Sequence, residues 1–144
     1  MRRAIVALCL VALATALASC LAEPADTVTL GGQELHVFVA DDERERSLGL
    51  EGYDELEPGQ GMLFVFDDLA VRTFAMKEVS FPIDVVFVAE DLTVSAVAPL
   101  DPGSTDLVAS PGPAPYVIEL PQGWAAEQGI GVGSALAVPE EFGG

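Results

Sequence analysis

The chain has 144 residues, 51 % of them hydrophobic by type, and sets 23 acidic side chains against six Lys and Arg, a formal net charge of −17 at pH 7. A surface this acidic repels phosphate backbones and anionic lipid head groups, which excludes DNA, RNA and electrostatic adsorption to membranes. With one His and two Cys there is neither a disulfide framework nor a paired set of metal ligands, so no metal and no cofactor is expected.

The first residues point to the cell envelope. Met1-Arg2-Arg3 is basic, and Ala4 to Ser19 is an uncharged run of sixteen residues dominated by Ala, Leu and Val. That is short of the ~20 residues that span a bilayer, and it has the layout of a secretory signal. Leu17-Ala18-Ser19-Cys20 resembles the lipobox of prokaryotic lipoproteins, in which the Cys is lipidated and becomes the first mature residue. On this reading residues 1–19 are the signal, residues 20–26 a lipidated tether, residues 27–138 one domain and residues 139–144 a C-terminal tail. The membrane is then a partner through lipid on Cys20, on the extracytoplasmic side. Removing residues 1–19 removes two Arg and no acid, leaving four cations, Arg44, Arg46, Arg72 and Lys77, against 23 acids. Such a balance suits very saline surroundings, where repulsion is screened, and equally suits a solubilising surface.

Alternation then marks strands. Val28 to Leu30 and Glu34 to Ala40 flank Gly31-Gly32, a hairpin turn. His36 falls on a strand face, with no second ligand beside it. Asp41 to Leu50 reads as a short helix with Asp42 as cap, Glu45 three residues on, and Gly49 ending it in a left-handed conformation. Residues two apart on a helix point in different directions, so Arg44 and Arg46 do not share a site easily, and Arg46 is the better candidate to face inward. Met62 to Phe66 and Ile83 to Val88 are β-branched and aromatic runs. The link between them contains Phe74-Ala75-Met76-Lys77-Glu78-Val79-Ser80-Phe81-Pro82, far more apolar than an ordinary loop, with the chain's only Lys. Leu92 to Ala98 and Tyr116 to Leu120 are further strands. Pro99 to Pro115 holds five Pro and two Gly and is expected to be a long loop, a functional flap or a mobile segment, since such a stretch cannot hold a helix or a central strand. Gly123 to Gln128 reads as a helical turn anchored by Trp124, and Ser134 to Val138 as the last strand. The fold class expected is mainly β: one compact rolled or barrel-like sheet, mostly antiparallel, with two short helices near 42–48 and 123–128.

The order of motifs resembles the family known as domain of unknown function 192. Arg46 with Gly49-Leu50, Gly61-Met62-Leu63-Phe64, Phe74, Met76-Lys77, Pro82-Ile83-Asp84, Tyr116-Val117-Ile118-Glu119-Leu120 with Gly123, and Gly133 carry the likeness. Two positions depart from it: Glu78 stands where the family usually has Asn, and Ser134 follows Gly133 where it usually has Asp. The resemblance implies a compact, mainly β domain with short helices and implies no known reaction.

The candidate site rests on residue chemistry. Asp84 lies in an apolar strand, where an ionised carboxylate needs a cation, a hydrogen bond or a proton. Two roles fit: orienting Lys77 or Arg46 towards a ligand, or fixing a turn. Met62 and Met76 could offer thioethers to Cu(I), but such side chains ordinarily fill core gaps. No Ser-His-Asp set, phosphate loop or calcium loop is present. The expected site therefore gathers Arg46, Met62, Phe74, Met76, Lys77 and Asp84, and suits a small polar or anionic ligand with an apolar body. Three functions compete: a lipid-anchored accessory or binding module; an enzyme using Lys77 and Asp84 for acid–base work; and an envelope-assembly module docking another protein through Phe74 and Phe81.

Overall fold

The computed structural model describes residues 22–143. Strand β1 (Asp26–Leu30) turns into β2 (Gln33–Ala40) through Gly31-Gly32, both at positive φ. Helix α1 (Glu43–Leu48) starts where the Asp42 carboxylate accepts the Glu45 N–H at 2.7 Å, and stops at Gly49, φ 53°. It carries the chain across to β3 (Gln60–Val65), which runs parallel to β2. The other pairings between named strands are antiparallel. Then come β4 (Val71–Ala75), β5 (Ile83–Val88), β6 (Val94–Leu100), β7 (Leu107–Pro113), β8 (Tyr116–Pro121), helix α2 (Trp124–Glu127) and β9 (Leu136–Ala137).

Seven strands form one curled sheet in the order β6-β5-β8-β3-β2-β1-β9, and β4 with β7 makes a separate two-stranded ribbon. Alternation gives the sheet two apolar faces. Val28, Leu35, Val37, Leu63, Val86, Ile118 and Leu120 pack on one side with Ala125 of α2, Ile130 and Leu136. Met62, Phe64, Val85, Phe87 and Val117 pack on the other with Leu50 and Leu56, and the ribbon contributes Phe74 and Val108 to that layer. Strand β8 lies between β3 and β5 and is buried on both faces, which is why its sequence reads as an almost unbroken apolar run. Gly61 has no room for a side chain against β8: a Cβ there would stand 2.9 Å from the Glu119 carbonyl oxygen.

The rolled, mainly β architecture with two short helices agrees with the expectation from sequence. Residues 99–115 do not. They are not a structureless flap: β6 runs on to Leu100, and Leu107–Pro113 is a strand despite Pro111 and Pro113. A two-stranded ribbon is all edge, so a residue without an N–H is tolerated where no partner requires one. Strand β4 was hidden within the apolar link for a related reason. Its outward residues are Val71, Thr73 and Ala75, while Arg72 and Phe74 point inward, the reverse of ordinary polar-out alternation. At the far end, the Tyr116 hydroxyl donates to the Phe142 carbonyl, tying the last residues to the sheet.

Candidate functional site

A cavity of ≈ 530 Å³ opens between α1, the inner side of β4 and the sheet face that carries Phe64. Aromatic and aliphatic side chains of Phe64, Phe66, Phe74, Leu50 and Val79 contribute to its wall. Phe74 stands edge-on between Phe64 and Phe87, with ring centroids 5.0 and 6.0 Å away, so β4 is pinned to the sheet at this point. Three cations share the lining, Arg46, Arg72 and Lys77. They are three of the four cations beyond residue 19.

Two of the three are held rigidly. Arg46 comes from the last turn of α1, and its Nη1 donates to the Val65 carbonyl at 2.9 Å and to the Asp41 carbonyl. Arg72 donates through Nε to the Ala114 carbonyl at 3.1 Å and through Nη2 to the Asp68 carboxylate at 2.8 Å. That hydrogen bond holds the exposed Asp68 carboxyl below its ordinary range. Both guanidinium groups flank one ring: Arg72 lies 3.8 Å from the Phe66 centroid and Arg46 5.3 Å from it, a cation–π arrangement that sets their spacing. Lys77, just beyond β4, is exposed and takes part in neither ion pair found among the described residues.

The most deeply buried polar group of the lining is Glu119, 6 % exposed, at the centre of β8. Its register partners are Met62 on β3 and Val85 on β5, so neither neighbouring strand supplies a charge or a donor side chain. Its Oε2 is shielded from solvent and has no hydrogen-bond partner among the described residues. Burial pushes its carboxyl up to about 8, which keeps it protonated at neutral pH. None of the three cations forms an ion pair with the carboxyl among the described residues.

The residues expected to gather do so in part. Arg46, Phe74 and Lys77 line the cavity. Met62 is buried in the layer beneath, and Met76 packs against the same layer; both are core side chains. Asp84 is elsewhere. It shares the opposite sheet face with Val86 and Val88, and its Oδ2 accepts the Gly123 N–H at 2.8 Å. It fixes the turn into α2, and its pairing with Lys77 across the sheet is not formed. The acidic member of the cavity is Glu119. Sequence reasoning placed it in a family-like motif but assigned it no role. The available signal was a lone acid inside Tyr116 to Leu120, as costly to ionise as Asp84. Phe74 and Phe81 are packed against the core and do not form an exposed docking pair.

His36 lies on the β2 surface, 3.7 Å from Glu34 and 3.4 Å from Thr27. Among the described residues no group of three or more His, Cys, Asp or Glu is placed to hold a metal ion, and no helix is long and apolar enough to cross a membrane. The expected signal segment and the expected lipidation site Cys20 lie outside the described residues.

Two solved structures resemble this fold. One, from Sinorhizobium meliloti 1021 and described as "a putative transcription regulator", has a TM-score of 0.74 at 30 % identity, over 78 % of this chain and 92 % of its own. The other, a protein of unknown function from Novosphingobium aromaticivorans DSM 12444, also has a TM-score of 0.74, at 28 % identity over 77 % of this chain and 83 % of its own. No curated protein matches the chain. The family model for DUF192, an uncharacterized ACR, matches residues 26–138, and the chain belongs to that family.

Proposed function

We propose that the protein is a lipid-anchored, extracytoplasmic binding module, and that its ligand is a small organic anion with an apolar body held in the cavity beside Phe66 and Phe74. The observation that carries this is the placement of charge. In a chain of net charge −17, three of the four cations beyond the signal segment line one aromatic-walled cavity. Surface solubility needs no such gathering, and bringing like charges together costs Coulomb energy that a bound anion offsets. The cavity is of the size that encloses small organic ligands. The lipobox-like Leu17 to Cys20 supports the anchor, since two acyl chains give stable attachment at ~0.8 kcal/mol per buried CH₂. The regulator description of one structural relative does not transfer to DNA contact here, because the acidic surface opposes a phosphate backbone.

The test is native mass spectrometry of the full chain purified from its own host's membranes. The wild type should retain a small anionic adduct that Lys77→Met, which keeps the apolar stem, loses without a change in melting temperature. An adduct unaffected by the substitution, or none at all, rejects the cavity reading. The anchor is tested separately: Cys20→Ala should move the protein out of the membrane fraction, and continued retention together with an unlipidated wild-type N-terminus rejects it.

A further inference from the structure

Glu119 poses a problem that the cations alone do not answer. An ionised carboxylate buried at that depth needs donors, and Oε2 has none among the described residues. A protonated one needs an acceptor. The charged groups sharing its cavity are Arg46 from α1, Arg72 from β4 and Lys77 beyond β4, while β3 and β5 set Met62 and Val85, neither titratable, on either side of it. An ammonium group in this cavity would share it with three positive charges. An oxyanion would be attracted by the same charges and would bring the acceptor that a carboxylic acid lacks.

On the anion-cavity reading above, we propose that Glu119 is a ligand-binding residue, a carboxylic acid that donates its hydrogen bond to an oxygen of a bound carboxylate or related oxyanion. The cations draw the negative charge in, and Glu119 identifies the group as one that accepts a hydrogen bond from the buried part of the lining. Its burial serves this role, since it keeps the proton in place at neutral pH. Ionised, the same side chain would repel the ligand it otherwise holds, so binding and proton retention are linked.

Benzoate, a carboxylate on an apolar ring, is the probe, titrated calorimetrically into the full chain. Wild-type affinity should be constant from pH 5.5 to 7 and weaken about tenfold per pH unit above the point where Glu119 ionises. Glu119→Gln, which keeps a neutral donor, should bind at pH 6.5 within about threefold of wild type and keep that affinity at pH 9.5, the cavity's contacts being otherwise unchanged. A second readout needs no variant: saturating benzoate should move the midpoint of the Glu119 carboxyl ¹³C resonance to higher pH. A wild-type affinity flat to pH 9.5, a Glu119→Gln profile matching the wild type's, or an unmoved or lowered midpoint overturns the proposal. If benzoate binds, is lost in Lys77→Met and shows no pH dependence, the anion cavity stands and the role of Glu119 falls. If benzoate does not bind at pH 6.5, both fall.

Discussion

At the scale of single residues, the Glu119 carboxyl ties the cavity to the stability of the fold. Its value is raised from 4.5 to about 8 by burial, so the native state binds its proton more tightly than the unfolded chain. Between those values the folded protein carries more protons, and stability falls as pH rises. The contribution is fully present below about pH 4.5 and is lost as pH climbs through about 8. Over that window wild type should lose stability relative to Glu119→Gln, by on the order of 3 kcal/mol. Urea denaturation of both proteins at pH 5 and pH 8.5 checks it, and a pH-independent difference between them would refute it. The same residue shows where sequence reading runs out. Asp84 and Glu119 are each a lone acid in an apolar strand, and one strand read alone does not reveal which of its faces will meet the ribbon. Arg46, Phe74 and Lys77 were legible because each broke a local rule: a second Arg two positions along a helix, and an aromatic and a cation in a link expected to be polar. Met62, in an apolar strand, broke none; Met76 broke the same rule as Phe74, yet packs against the core as Met62 does.

Among the elements, the bend after β4 is the informative one. Glu78 has φ 51°, a left-handed conformation that costs a side chain with a Cβ roughly 1–2 kcal/mol and that Asn and Gly adopt more easily. The family-like motif usually has Asn at this position, and the backbone explains why without assigning the Asn a ligand. Glu78→Asn should therefore stabilise the domain by about 0.5–1 kcal/mol while leaving Lys77 in the cavity lining. The midpoint of chemical unfolding measures this, and a fall in stability would refute it. The hairpin of β1 and β2, the capped α1, and the apolar strands β3, β5 and β8 were readable from periodicity and turn chemistry. The ribbon was not. Its inward face carries Arg72, whose partners Asp68 and Ala114 lie on different segments, and its other strand contains prolines that argue against a sheet wherever the strand is central. Both obstacles arise from tertiary placement, which a local pattern does not contain.

For the molecule as a whole, the gathered cations are a small positive region in a strongly negative body, and this has a kinetic consequence. Over distances longer than the cavity is wide, an approaching anion meets the net charge and is repelled; inside the cavity it meets Arg46, Arg72 and Lys77. Salt screens exposed charges beyond the Debye length, about 10 Å at 0.1 M and 3 Å at 1 M, and weakens contacts inside a cavity much less. Added salt should therefore speed capture. Stopped-flow measurement with benzoate should show the association rate constant rising between 0.05 and 1 M NaCl, by roughly two- to tenfold, with little change in the dissociation rate. Attraction from the cations acting at long range would give the opposite slope. Uptake that quickens as the medium becomes more saline would suit the proposed binding module to brine.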